Sequence, residues 1–335
     1  MRKLVIPENY RPVLDICETQ RAIKTVKDTF ERVLSNALNL ERVTAPVIVR
    51  ADSGINDDLN GVERKVHFTM KEINGEAEVV QSLAKWKRMA LMRYGFKKGS
   101  GLYTDMSALR RDDDADNLHS IYVDQWDWEK VITRDERTLD FLKQTVISIV
   151  RAVCATHLTV KASYPELKFV TCETPFFITS QELEDMYPQL SAHERENEIT
   201  RQKKTVFIMQ IGDKLKSGVP HDGRAPDYDD WSLNGDLLMW SDVLNRAIEL
   251  SSMGIRVDER SLAEQLRKSG CEDRMKYEYH KMIANGTLPL TIGGGIGQSR
   301  LCMLMLEKAH IGEVQSSVWS EDMQRQCCGG GIVLL

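Results

Sequence analysis

The stretch TIGGGIGQSRLCMLML, residues 291–306, places four glycines and Arg300 directly before an apolar run with helical spacing. A glycine in a regular element costs about 0.5–1 kcal/mol relative to alanine, because it loses more conformational freedom on folding. Four glycines within five residues therefore predict a strand that a ligand or another part of the chain approaches closely. The stretch is not the dinucleotide-binding fingerprint, since Arg300 stands where the third small residue of that fingerprint belongs.

The composition is that of a globular protein, with 42% hydrophobic and 28% charged residues in a chain of 335. A formal net charge of −5 provides no general attraction to nucleic acid. The sequence contains no apolar run of about 18 residues and no secretion-signal pattern at its N-terminus, so we expect no membrane span and a cytoplasmic location. The seven cysteines and seven histidines show none of the usual zinc-ligand spacings, and no P-loop is present.

Hydrophobic periodicity predicts the main elements. Apolar residues at helical spacing over 23–38 indicate a long helix with Thr19 as a cap, and residues 82–96 and 136–155 indicate two more helices. Alternation of apolar and polar residues predicts a strand over 42–50, with Pro46 inside it. It also predicts one strand on each side of the acidic loop that follows Arg110. The fold class is therefore α+β, with a mixed, mainly antiparallel sheet flanked by helices. We expect a single domain over residues 1–335 with a loosely ordered tail from about residue 321.

The order of these patterns resembles the three signature motifs of class II aminoacyl-tRNA synthetases. They would be the first helix with RVTAPVIVR, then ALRRDD to YVDQWDWE, then GGGIGQSRLCMLML. The longer stretches HSIYVDQWDWE, RAPDYDDW, LNGDLLMW and ELSSMGIRVD resemble the ammonia-dependent asparagine synthetases, which are aspartate–ammonia ligases built on the class II catalytic core. The resemblance runs from the first helix to about Trp319. It implies a homodimer formed through the first helix and its strand.

The resemblance also implies a reaction. L-aspartate and ATP would form β-aspartyl-adenylate with loss of pyrophosphate, and ammonia would then displace AMP to give L-asparagine. Arg110 would bridge the reacting carboxylate and the α-phosphate, because a guanidinium can bind both with paired hydrogen bonds, and Arg300 would meet the nucleotide from the other side. Asp236 and Glu249 would hold the Mg²⁺ of ATP, since this ion prefers oxygen ligands. The remaining residues expected to bind ATP are Asp127, Ser251, Gly294, Gly295 and Gly297.

The expected aspartate-binding residues, again by resemblance, are Asp57, Lys87, Arg110, Gln125, Ser252 and Arg256. Ammonia arrives mostly as ammonium at neutral pH, so a carboxylate near the adenylate could accept its proton, and Asp57 and Asp127 are the candidates. Position 2 is Arg2, whereas the glutamine-using route to asparagine needs an N-terminal cysteine nucleophile. Free ammonia is therefore the expected nitrogen donor.

Two alternatives remain at this point. One is a catalytically silent relative that binds an amino acid or a nucleotide. Loss of an adenylate-binding arginine or of the magnesium carboxylates would favour it, but Arg110, Arg300, Asp236 and Glu249 are all present. The other is a tRNA ligase for aspartate or asparagine, which would need an anticodon-binding barrel ahead of the core. The first core helix begins within the first ~20 residues and leaves no room for such a barrel.

Overall fold

The computed structural model describes residues 4–57, 59, 63–72 and 74–335. The strands in these residues are β1 Leu40–Arg42, β2 Ile48–Arg50, β3 His67–Thr69, β4 Glu76–Val79, β5 Gly101–Leu109, β6 Tyr122–Val131, β7 Phe176–Thr179, β8 Thr205–Met209, β9 Asp229–Ser241, β10 Arg246–Arg256 and β11 Thr291–Gly297. The α-helices are α1 Ile16–Leu38, α2 Ala84–Tyr94, α3 Leu139–Ser163, α4 Ser180–Met186, α5 Ala192–Lys203, α6 Glu259–Ser269, α7 Glu278–Ala284, α8 Gln298–Met305 and α9 Glu321–Gly329.

Two sheets form the framework. The larger sheet has the strand order β1-β5-β6-β11-β10-β9-β8-β7, with parallel pairs at its two ends and antiparallel pairs between them. The smaller sheet is antiparallel and has the order β2-β4-β3. The predicted α+β class with a mainly antiparallel sheet is confirmed. The glycine-rich stretch forms β11 in the middle of the larger sheet, and its apolar run forms α8 directly afterwards.

Helices α1 and α3 pack against each other and contribute much of the main hydrophobic core. The side-chain carboxylate of Asp15 caps α1 by accepting a hydrogen bond from the Glu18 amide at 2.8 Å, so Thr19 is not the cap that we predicted. The Thr19 hydroxyl instead donates to the Asp15 carbonyl at 2.6 Å within the first turn. Helix α3 is long and apolar enough to cross a bilayer, but half of its apolar window is buried inside the protein.

Two predictions about chain segments are wrong in detail. The expected strand over 42–50 is divided between β1 in the larger sheet and β2 in the smaller one. Pro46 lies in the connection, and a proline lacks the amide that a central strand needs for its hydrogen bonds. The C-terminal segment is ordered rather than loose, because Cys327 of α9 and Ile332 are buried in the main core.

Candidate active site

A central cavity of about 310 Å³ opens onto β6, β9, β10 and β11 and onto the residues that follow β5. It brings together residues that lie far apart in the sequence. The expected site residues that line it are Lys87, Arg110, Gln125, Asp127, Asp236, Glu249, Ser252, Arg256, Gly294, Gly295, Gly297 and Arg300. We refer to this space as the central cavity. Asp57 and Ser251 are the two expected site residues outside its lining.

The glycines of β11 leave room for a row of polar side chains on β6. The antiparallel register places Gly297 opposite Gln125, Gly295 opposite Asp127 and Gly293 opposite Glu129. Alternate residues of a strand point to the same face, so these pairs share one side of the sheet. A Cβ added at Gly295 would overlap the Gln125 amide, and one added at Gly293 would overlap the Glu129 carboxylate. The close approach that the sequence predicts is therefore made by the polar row.

Replacing Gly295 by alanine tests this arrangement. The added methyl group must displace the Gln125 amide, and overpacking of this kind costs about 1–3 kcal/mol. We expect the KM for aspartate to rise about tenfold while the fold is retained, as measured by steady-state kinetics and circular dichroism. Gly329→Ala is the matched control, because a Cβ there meets nothing within 4 Å. Unchanged kinetics of Gly295→Ala would contradict the expectation, drawn from the resemblance, that Gln125 binds aspartate.

Lys87 of α2 lies beneath this row and is almost completely buried. Its ammonium group forms an ion pair with Asp127 and donates hydrogen bonds to the carbonyls of Trp128 at 3.0 Å and Gly294 at 3.1 Å. Burial lowers the pKa of Lys87 and raises that of Asp127, while the ion pair between them opposes both shifts. Lys87 therefore connects α2, β6 and β11 at the cavity floor.

Arg256 at the end of β10 is held by other protein groups. Its guanidinium donates to both carboxylate oxygens of Glu129, at 2.8–3.1 Å, and also to Asp229. The Thr291 hydroxyl donates to the same Glu129 carboxylate at 2.6 Å. Burial alone would raise the pKa of Glu129, but Arg256 and Lys87 lower it below its usual value. Arg256 lines the cavity, yet several of its donors are already engaged by carboxylates.

Arg224 is a cavity residue to which the sequence assigned no role. Its guanidinium donates to Asp236 at 2.6 Å and to the Ser252 hydroxyl, so it joins β9 to β10. Burial raises the pKa of Asp236 to about 7, and the nearby charge of Glu249 adds to that shift, while Arg224 opposes it. The sequence offers one signal for a role of Arg224, which is its position directly before the acidic run APDYDDW.

The two arginines expected at the nucleotide approach the cavity from different elements. Arg300 in the first turn of α8 donates to the Glu249 carbonyl at 2.9 Å and contacts the His119 ring nitrogen Nε2 at 3.0 Å. Arg110 follows β5, and one of its terminal nitrogens donates weakly to the Gln81 carbonyl at 3.4 Å. Its buried Nε has no hydrogen-bond partner within the described part of the chain. Arg110 therefore has donor capacity left for an anion.

The position of Ser251 corrects an expectation. A β-bulge between Glu249 and Ser251 shifts the pairing of β10 with β9. Glu249 and Ser252 therefore both line the cavity, although the two residues between them would place them on opposite faces of a regular strand. Ser251 is buried outside the cavity lining, and its hydroxyl has no hydrogen-bond partner among the described residues.

Asp57 is buried beside the cavity rather than in its lining. Its carbonyl accepts a hydrogen bond from the Gln81 side chain at 3.0 Å. Burial raises the pKa of Tyr228, which lines the cavity, and the charge of Asp57 raises it further. The charge of Asp57 therefore acts on a residue of the cavity lining.

The side chains that could bind a metal ion in the central cavity are carboxylates. Within the described ranges, no group of three or more His, Cys, Asp or Glu side chains is arranged to hold a metal ion by itself. Asp236 and Glu249 do line the same cavity, and their mutual repulsion contributes to the raised pKa of Asp236. Mg²⁺ binds through one or two carboxylates and takes its other ligands from phosphates and water. These two residues therefore fit a divalent cation that takes its other ligands from outside the protein.

Comparison with known proteins relates this chain to one family. Residues 17–330 match the family described as aspartate-ammonia ligase. Relatives named aspartate–ammonia ligase from Clostridium tetani and Lactobacillus acidophilus are each 58% identical to this chain. The matches cover 99% of this chain in both cases, and 98% and 100% of the two relatives.

The fold has more distant counterparts among solved structures. Asparaginyl-tRNA synthetases of Entamoeba histolytica and Pyrococcus horikoshii, each complexed with asparaginyl-adenylate, match with TM-scores of 0.64 and 0.61 at 15% identity. The matches cover 90% and 89% of this chain, but only 66% and 68% of the synthetase chains. The fold is that of a class II synthetase catalytic core, as the sequence predicts.

Proposed function

The chain belongs to the aspartate–ammonia ligase family, and from this premise we propose that its central cavity makes L-asparagine from L-aspartate, ATP and ammonia through a β-aspartyl-adenylate. The observation that carries the proposal is the convergence of Arg110 and Arg300 on one cavity whose floor is the polar row of β6. Two guanidinium groups can stabilise the negative charge that develops when a carboxylate attacks the α-phosphate.

Aspartate would lie over the floor formed by Gln125 and Asp127. The Asp127 carboxylate offers a partner for the α-ammonium group, while Lys87 keeps that carboxylate in place from below. Ser252, together with Arg256, would bind the substrate carboxylates from β10. Charged groups held in this way pay little reorganisation energy during the reaction, because their positions are set before the substrate binds.

ATP would lie between Arg110 and Arg300. Arg110 would bind the β-carboxylate and the α-phosphate together, which holds the reacting atoms in contact and lowers the entropic barrier. The strand at Gly294, Gly295 and Gly297 would lie against the adenosine. A Mg²⁺ ion held by Asp236 and Glu249 would supply positive charge that balances the phosphates.

A product analysis tests the proposal. The purified protein is incubated with ATP, Mg²⁺ and L-aspartate, and either ammonium or glutamine is added. We expect asparagine, AMP and pyrophosphate in equal amounts with ammonium, little product with glutamine, and no product after the divalent ion is chelated. No turnover with ammonium would contradict the proposal and favour the silent alternative, and ADP in place of AMP would contradict the adenylate route.

The proposal includes a cytoplasmic homodimer. Ile16 at the start of α1 and Val47 and Ile48 near β2 are large apolar residues that remain exposed in the single chain. A second copy that covers them would remove this apolar surface from water. We expect sedimentation equilibrium to show a dimer at micromolar concentration, and the double variant Val47→Asp/Ile48→Asp to weaken it at least tenfold. A wild-type monomer under these conditions would contradict this part of the proposal.

A further inference from the structure

A second cavity of about 490 Å³ adjoins the central one, and we call it the side cavity. Six residues line both spaces: Leu118, His119, Asp222, Asp236, Glu249 and Arg300. The opposite wall of the side cavity comes from α5, from the start of β10 and from the residue before Asp222. The lining residues on that wall include His193, Glu196, His221 and Arg246. Nothing in the proposed function gives these residues a role.

His221 has the geometry of a general base. Its Nε2 lies 3.1 Å from a carboxylate oxygen of Glu196, and a carboxylate can only accept, so Nε2 carries the proton. The other ring nitrogen, Nδ1, then has a free lone pair. The His221 side chain is fully buried, and Nδ1 has no hydrogen-bond partner among the residues that the structure describes. Nδ1 is therefore a buried acceptor next to the side cavity that lacks a donor among the described residues.

Glu196 is suited to support this base. Burial would raise its pKa, but hydrogen bonds from His193 and His221 lower the pKa to about 2. Glu196 therefore stays ionised at neutral pH. A carboxylate on Nε2 stabilises the imidazolium that forms when Nδ1 accepts a proton, as in other carboxylate–histidine pairs.

The side cavity has the charge expected of a cation site. It contains five carboxylates, those of Asp116, Glu196, Asp222, Asp236 and Glu249, against the two guanidinium groups of Arg246 and Arg300. Burial raises the pKa of Asp222, Arg224 opposes the shift, and the charges of Glu249 and Glu196 raise it further. Arg224 balances Asp236 from the central cavity, and the proposed Mg²⁺ would engage Asp236 and Glu249, so the charge that favours ammonium comes from Asp116, Glu196 and Asp222.

We propose that the side cavity admits ammonium and that His221 takes its proton, delivering ammonia to the adenylate in the central cavity. This inference rests on the proposed function, because it assigns the nitrogen-donor side of the same reaction. Of the two carboxylates suggested by the sequence for this proton, Asp127 is paired with Lys87 and Asp57 lies outside the cavity lining.

In the proposed step one proton moves to His221, and a carbon–nitrogen bond replaces a carbon–oxygen bond at the β-carbon. Ammonium transfers one proton to the Nδ1 lone pair of His221 and leaves as ammonia. The ammonia lone pair forms a bond to the β-carbonyl carbon, and the bond from that carbon to the phosphate oxygen breaks with its electron pair on AMP. The nitrogen loses one further proton, to AMP or water, as the amide forms. His221 returns its proton to solvent before the next turnover.

Hydroxylamine in place of ammonium distinguishes a defect in ammonium deprotonation from a defect in adenylate formation. We expect His221→Asn to lower asparagine formation with ammonium at neutral pH about 10²-fold, the usual size of a general-base contribution. Hydroxylamine is largely unprotonated at neutral pH, so its conversion to aspartyl hydroxamate should stay within about threefold of wild type. Aspartate-dependent exchange of pyrophosphate into ATP, which needs no ammonia, should also be retained.

Raising the pH provides a second measurement. Free ammonia becomes abundant at alkaline pH, so the defect of His221→Asn should shrink there, and Glu196→Gln should show a smaller defect of the same kind. The ionisable and charged groups near His221 are Asp116, His119, His193, Glu196, Asp222, Arg224, Asp236, Arg246, Glu249 and Arg300. His221→Asn keeps all of these groups and Glu196→Gln keeps all but Glu196 itself, so the difference from wild type isolates the His221–Glu196 pair.

The control is His67→Asn, which changes an exposed histidine whose Nδ1 lies 3.7 Å from Glu76, outside both cavities. It should behave as wild type with every substrate. Equal losses with ammonium and hydroxylamine in His221→Asn would overturn the inference, since they would indicate a structural effect. Wild-type activity with ammonium would also overturn it. Absence of pyrophosphate exchange in the wild-type protein would instead contradict the proposed function.

Discussion

Alanine at position 110 is expected to lower kcat/KM by about 10²–10³-fold, because the guanidinium of Arg110 is the group proposed to bind both reacting partners. Within the described residues its buried Nε has no hydrogen-bond partner, and the hydrogen bond from its terminal nitrogen to the Gln81 carbonyl is weak, at 3.4 Å. Little of the folded structure therefore depends on this side chain. The loss should appear in adenylate formation, measured by pyrophosphate exchange, while the unfolding midpoint changes little.

The neighbouring Arg111 provides the matched control. It is exposed and lies outside the central cavity, so Arg111→Ala removes the same charge without touching the proposed site. We expect near wild-type exchange from this variant. Comparable losses in both variants would show that general positive charge, rather than the position of Arg110, supports the reaction.

The second large effect is expected in stability. Lys87→Met leaves Asp127 buried without its cationic partner, and breaking a buried ion pair in this way costs about 3–5 kcal/mol. The carbonyls of Trp128 and Gly294 lose their donor at the same time. Urea unfolding should show this loss in the free energy of unfolding, and adenylate formation should fall with it.

Two further variants separate charge from packing. Lys97→Met, at an exposed position after the same helix, should change the free energy of unfolding by less than about 0.5 kcal/mol. The double variant Lys87→Met/Asp127→Leu removes both charges and should regain much of the lost stability, because an apolar pair avoids the desolvation penalty. It should remain inactive. A stable single Lys87→Met variant would show that the ion pair is not the anchor of the cavity floor.

The parts of the fold with strong local signals could be predicted from the sequence. The periodicity of α1 and α3 indicates one buried face on each helix, and the run of glycines in β11 indicates a strand that other groups approach closely, so the local pattern alone is informative. Pro46 was noted as an irregularity, but the move of the chain from the larger sheet to the smaller one depends on long-range pairing. The C-terminal segment was underestimated because the burial of Cys327 and Ile332 depends on a core formed by distant parts of the chain.

The site residues divide in the same way, into those that a local pattern could predict and those that depend on the folded structure. Side chains on regular strands, such as Gln125 and Asp127, could be assigned to one face from alternation. Ser251 and Ser252 were both expected in the site by resemblance, but the bulge in β10 after Glu249 leaves only Ser252 in the cavity lining. Arg224 and His221 lie in an irregular segment, where no period indicates the direction of a side chain. Their contacts with Asp236 and Glu196 become visible only in the folded structure.

The central claim is that the β-carboxylate of aspartate attacks the α-phosphate of ATP in the central cavity. The most direct test uses aspartate labelled with ¹⁸O in its β-carboxylate, together with ATP, Mg²⁺ and ammonium, and measures the mass of the nucleotide product. The account predicts one ¹⁸O atom in the phosphate of AMP, because the carbon–oxygen bond of the adenylate breaks when ammonia attacks. Label in inorganic phosphate with release of ADP, or unlabelled AMP, would contradict it.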